Sequence, residues 1–190
     1  DFFIKNISTD QKKNDELYKF SYEDNDSDIK RFTGKIVHKY LEIIVKKQLD
    51  IDIILENKLS YIESLFLQPN YSKSDIYIAL NLVKQSFQML KESHDGQWIF
   101  QRHLNDNSEA RYLVDDEQSF HHLIPDRSFI ENNIQWIVDY KIPFRPIYDL
   151  EREAKKYFTQ LNSYEKIFSK TGMVVKKAIY FAPQGKLIIL

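Results

Sequence analysis

The chain reads as an α+β domain with a mixed α/β sheet, and three observations carry that reading. Apolar residues recur at helical spacing through roughly the first half of the chain. From about residue 109 the pattern changes to short apolar or alternating runs separated by Asp and Asn, as strands are. A long amphipathic stretch then precedes two more strand-like runs. Helices, three or four strands, a helix and two strands is the element order of an α+β or mixed-sheet sandwich.

Residues 1–28 are polar and end in SYEDNDSD, which reads as a flexible lead-in able to cap the helix that follows. That helix starts near Ile29 and runs to about Leu49, with Ile36, Tyr40, Ile43 and Ile44 on its apolar face and His38 and Glu42 together on a flank. A second helix is expected over 50–68, stopped by Pro69. A third is expected over 74–93, with Ser72 or Ser74 as cap and Ile78, Leu82, Phe87 and Leu90 facing inward. Residues 29–95 are thus the helical part and 96–190 the sheet core. Strands are expected over 109–114, 118–124, 127–131 and 134–140 as a mostly antiparallel meander, followed by one long helix over 148–170 ended near Gly172. VVKKAIYF and KLIIL supply the last two strands, joined around Pro183, Gln184 and Gly185.

The 190 residues suffice for one domain with a buried core, and 43% hydrophobic content excludes wholesale disorder. With 27 basic and 28 acidic residues there is no global basic footprint, so any nucleic-acid contact must rest on a local patch. The absence of cysteine excludes disulfides and thiolate metal sites and fits a reducing compartment. No apolar run approaches the ~20 residues of a membrane span and the start lacks the order of a signal peptide, so a cytoplasmic protein without a membrane partner is expected. The first residue is Asp1, as in a piece of something longer. Gly34 and Lys35 do not belong to a phosphate-binding loop, because Ile29 and Ile36 stand where that motif needs glycine and a hydroxyl. The chain carries no ATPase of its own.

The segment LIPDRSFIENNIQWIVDYK (123–141) is the most chemically suggestive. In an extended strand Asp139 and Lys141 emerge on one face, while Tyr140 points the other way with Trp136 and Val138. A hairpin across Glu131, Asn132 and Asn133 brings Asp126 towards Asp139. Two carboxylates and an ammonium would converge there, as phosphodiester hydrolysis requires: carboxylates hold a hard cation, and the lysine orients a water or offsets developing charge. A solvated strand face accounts for a D-x-K pattern taken alone.

Four separated pieces carry a family resemblance. RFTGKIVHKYLE (31–42) resembles the G-x-x-x-H-x-x-L-E helix of the RecB-like nuclease domain of the PD-(D/E)xK superfamily, PDRSF (125–129) its I-D-R-x-F strand, WIVDYK (136–141) its W-I-I-D-Y-K strand, and QLNSY (160–164) its Q-x-x-x-Y helix. They follow the family's order across about residues 31–182. The resemblance implies a restriction-endonuclease-like core with an N-terminal helical portion. It also implies Mg2+- or Mn2+-dependent cleavage of DNA, acting as a single-strand exonuclease, and covalent linkage to a UvrD-, RecB- or AddA-type helicase motor in DNA repair or recombination. A second helicase–nuclease subunit is a further partner that it admits.

Carried over residue by residue, the resemblance makes His38, Asp126 and Asp139 metal ligands, with the carbonyl of Tyr140 completing the coordination, and Lys141 the catalytic lysine. Gln160 and Tyr164 would brace the site or touch DNA, and Glu109, at the head of the first expected strand, resembles a family glutamate near the site. The chain departs from the family pattern at Pro125, directly before Asp126, and at Ile142, directly after Lys141. The alternative from another class is a catalytically inactive nuclease fold that binds DNA or scaffolds a helicase complex.

His121 and His122 are neighbours on a strand and cannot jointly bind one ion simply. His94 and His103 have no partner legible in the sequence. Tyr40, Trp136, Tyr140 and Tyr180 lie on apolar periodic faces and read as core. The lysines at 155, 156, 166, 170, 176 and 177 suit phosphate contact or a solvated face equally well.

Overall fold

The computed structural model describes residues 29–67, 71–115, 120–168 and 171–190. The expected lead-in over 1–28, the Pro69 stop and the end of the long helix at 169–170 lie outside the described residues. Helix α1 (Ile29–Lys47) buries Phe32, Ile36, Val37, Tyr40, Leu41 and Ile44 along one stripe. On its outer face Glu42 pairs with Lys39 at 2.9 Å and Lys46 at 2.6 Å, the i,i+3 and i,i+4 neighbours of an exposed helix flank.

The single helix expected over 50–68 is two, α2 (Ile51–Asn57) and α3 (Leu59–Phe66). Asp50 caps the first, accepting from Asp52 N at 2.9 Å. The chain breaks at Lys58, and the new direction lets Ile62, Leu65 and Phe66 reach the core, where the Phe66 ring meets Phe32 edge-on at 5.2 Å. Helix α4 (Lys73–Glu92) is capped by Ser72, whose hydroxyl accepts from Asp75 N at 3.1 Å. Its buried stripe is Ala79, Val83, Ser86, Phe87 and Leu90; Ile78, expected inside, is 42% exposed.

The helical part extends past residue 95 into α5 (His94–Phe100). Gly96 sits inside this helix, where a Cβ would stand 2.3 Å from the Met89 carbonyl oxygen, so the close approach to α4 needs glycine.

Strand β1 (Leu104–Ser108) replaces the head of the strand expected over 109–114; β2 (Tyr112–Asp115) and β3 (Phe120–Leu123) form a separate antiparallel ribbon. β4 (Arg127–Glu131) and β5 (Ile134–Lys141) make the expected hairpin, with Asn132 and Asn133 at φ 51° and 60° in a turn that asparagine tolerates. The long helix expected over 148–170 is again two, α6 (Leu150–Lys155) and α7 (Phe158–Phe168). They carry the chain over to β6 (Val174–Phe181), which lies parallel to β5; after a 3-10 turn (Ala182–Gln184) β7 (Lys186–Ile189) closes the sheet antiparallel to β6.

The five-stranded sheet has the order β1-β4-β5-β6-β7, so β5 is central. One face, with Phe129, Trp136, Val138, Tyr140 and Tyr180, packs on the α1–α5 layer. The other, with Ile137, Ile179 and Phe181, packs on Ala154, Leu161 and Phe168 of α6 and α7. This three-layer α+β arrangement explains the near-continuous apolar run of β5, which is covered on both sides. The expected core aromatics Tyr40, Trp136, Tyr140 and Tyr180 are all buried. No helix among the described residues is long and apolar enough to cross a membrane.

Candidate metal centre

The antiparallel register pairs Arg127 with Val138, so Asp126, one residue before β4, stands across from Asp139 near the end of β5. Asp126 is held from three directions. Its Oδ2 accepts from the backbone N–H of Tyr140 at 2.5 Å, and its carbonyl accepts from Ser108 Oγ and Glu109 N, each at 3.1 Å. Its Oδ1 lies 3.2 Å from His38 Nδ1, so α1 delivers the histidine to the end of the hairpin. The His38 ring leans on Tyr140 at 5.9 Å between centroids.

Glu109 is drawn into the same cluster. It follows the end of β1 rather than heading a strand, and its backbone is left-handed at φ 52°, an uncommon conformation for a non-glycine residue and one that clusters at functional sites. Ligand atoms of His38, Glu109 and Asp126 all lie within 4.8 Å of one another. Cis ligands of an octahedral cation bound at ~2.1 Å stand ~3 Å apart and trans ligands ~4 Å, so little contraction would bring the three onto one ion. One imidazole with carboxylates suits manganese at least as well as magnesium.

Asp139 stands beside this triad with its oxygens engaged by other groups. Oδ1 accepts from Gln160 Nε2 at 2.9 Å, and Oδ2 pairs with Lys141 Nζ at 2.6 Å. Gln160 also donates to the Tyr164 hydroxyl at 2.9 Å, so one face of α7 braces the carboxylate. Tyr140 contributes its amide to Asp126, and its ring is buried beside Phe100 and Tyr180. The structure thus gathers His38, Glu109 and Asp126 at ligating distance, and sets Asp139, Lys141, Gln160 and Tyr164 as an adjoining network.

The electrostatics follow from crowding acids in a partly dry place. Burial, then the neighbouring Asp126 charge, pushes Glu109 up to about 7. The same two causes push Asp139 up to about 6 against the opposing pull of Lys141 and His38. Burial alone would lower His38, but the hydrogen bond and charge of Asp126, helped by Asp139 and Glu109, hold it above the usual histidine value. Clustered like charges that hold protons against solvent are the condition a divalent cation relieves.

Two contributors, Arg127 and Tyr157, were not singled out from sequence. Arg127, next to Asp126, is fully buried and grips Asp106 of β1 with Nε at 2.9 Å and Nη2 at 2.6 Å, which ties the start of β4 to the edge strand at a bulge. Tyr157, between α6 and α7, lies under the Lys141 ammonium. His103, without a legible partner, stacks on Phe129 at 3.9 Å and bonds the Trp98 carbonyl at 2.9 Å in a structural role. Lys156 and Lys177 are engaged by Glu153 and Glu165, while Lys176 lies over Trp136.

No family model and no curated protein matches this chain.

Proposed function

We propose that this chain is a divalent-metal-dependent DNA nuclease domain that cleaves single strands, attached to a UvrD- or RecB-type helicase motor in DNA repair or recombination. The observation that carries the reading is the convergence of His38, Glu109 and Asp126 within 4.8 Å, beside an Asp139–Lys141 pair on the central strand. Metal-ligand types, a buried second carboxylate and a partly exposed ammonium meet where β4 begins and β5 ends. The four sequence motifs that resemble the RecB-like domain contain His38, Asp126, Asp139 and Lys141, and Glu109 lies outside them.

A bound Mg2+ or Mn2+ would supply Lewis acidity towards a phosphoryl oxygen and a water of lowered pKa. His38, Glu109 and Asp126 are the residues to hold it, with Asp139 released from Lys141 as a fourth. Asp126 is fixed by the Tyr140 amide, so its second oxygen presents a set direction. Lys141, with 23% of its side chain exposed, can reach a phosphate at the mouth of the site and offset charge that develops there. Gln160 holds Asp139 in register, which preserves the spacing between carboxylate and ammonium.

The test is cleavage of end-labelled single- and double-stranded DNA with Mn2+, Mg2+ or EDTA, comparing the native chain with Asp139→Ala and Lys141→Ala. Metal-dependent cutting lost in both variants is expected. No cutting, together with no Mn2+ binding, would favour the inactive scaffold.

A further inference from the structure

The long helix expected before β6 is broken at Lys156 and Tyr157, and the break has a geometric result. Tyr157 N donates to the Ala154 carbonyl and Leu161 N to the Tyr157 carbonyl, each at 3.0 Å, so Tyr157 belongs to the joint between α6 and α7. Its half-buried ring packs against the layer of Ile137, Ala154 and Leu161. The Lys141 Nζ sits 4.3 Å from the centroid of that ring and 2.6 Å from Asp139 Oδ2. The ammonium therefore has two seats, one anionic and one aromatic.

We infer that Tyr157 is a positioning residue for Lys141, an inference that rests on the nuclease reading above. A lysine side chain is a compact charge on a flexible four-carbon stem, and a single carboxylate fixes it only while that carboxylate is unoccupied. Asp139 has a second duty as a cation ligand, and an oxygen turned to that duty no longer holds the lysine. The Tyr157 ring attracts the ammonium through its negative face, brings no formal charge of its own and withdraws no ligand from the cluster. Lys141 thereby stays beside Asp139 whichever way the carboxylate is engaged.

The test begins with the metal-free chain. Lysine-selective NMR should show the Lys141 ε-methylene shifted upfield by the ring, a shift kept in Tyr157→Phe and lost in Tyr157→Leu. In Mn2+-dependent cleavage of an end-labelled single-stranded oligonucleotide, Tyr157→Leu should lower kcat roughly tenfold with KM little changed. Tyr157→Phe should recover most of that loss. A native chain that cuts DNA without the upfield shift overturns the Tyr157 role alone, as does a loss that Phe does not recover. A native chain with the shift that cuts nothing overturns the nuclease reading and the positioning role with it.

Discussion

The backbone N–H of Tyr140 donates to Asp126 Oδ2 at 2.5 Å, which locks the start of β4 to the end of β5 through a side chain that also faces His38. One carboxylate thus ties the two strands together and, in the proposed metal site, serves as a ligand, and the two tasks can be separated by substitution. Asp126→Ala removes the acceptor and leaves a buried amide unpaired, at a cost of about 1–3 kcal/mol. Asp126→Asn keeps an oxygen for Tyr140 N and should recover much of that stability while still losing a charged ligand. Thermal unfolding of the three proteins checks the order native, Asn, Ala.

The pH dependence of the metal-free chain follows from the raised acids. Glu109, held up at about 7, and Asp139, at about 6, favour the folded state most when protonated. Their contribution is fully present below their unfolded values near ~4 and is lost as pH rises through the folded ones. His38, raised as well, acts in the same direction over its own range. Tm of the metal-free chain should thus fall between pH 4.5 and 7 from these groups. Mn2+ competes with the same protons, so its stabilising effect should grow over that window. A metal-free chain whose Tm climbs across it, with a Mn2+ effect independent of pH, would contradict the assignment.

Gln160 bonds both Asp139 Oδ1 and the Tyr164 hydroxyl. Gln160→Leu keeps the side chain's bulk but frees the carboxylate to rotate. The cleavage rate at saturating Mn2+ should fall roughly tenfold with a stability change of about 1 kcal/mol. Tyr164→Phe should cost less, because Gln160 keeps its bond to Asp139. Parallel rate and urea-denaturation measurements separate the two effects.

Arg127 is fully buried between the rings of Phe100 and Phe129, at 5.5 and 5.1 Å, and bidentate to Asp106. Arg127→Met should destabilise by about 3–5 kcal/mol because Asp106 is left uncompensated. Arg127→Lys should not rescue, since an ammonium lacks the planar fork. Arg127→Met with Asp106→Leu should recover most of the loss. Urea midpoints of the single and double variants decide between a pairing role and a packing one.

How far the fold was legible depended on the reach of each signal. The β4–β5 hairpin was readable because two asparagines separate two short apolar runs, and α1 because its stripe repeats over five turns. The breaks at Lys58 and at Lys156–Tyr157 were hidden, because apolar spacing runs on through both and only tertiary packing chooses the new direction. α5 was hidden by Gly96, whose need is set by contact with Met89 and not by local propensity. In the site, His38, Asp126 and Asp139 were proposed from spaced motifs. Glu109 reaches the cluster through a left-handed backbone bonded to Asp126, and no short-range pattern encodes that bond. Tyr157 was invisible for the same reason as the helix break that carries it.

The claim that His38, Glu109 and Asp126 form a divalent-cation site is tested most directly by calorimetric titration of the metal-free chain with Mn2+, alongside Asp126→Asn and Lys141→Ala. Saturable binding in the native chain that persists in Lys141→Ala and is lost in Asp126→Asn is the predicted result. No binding by the native chain, or binding that Asp126→Asn leaves intact, would contradict it.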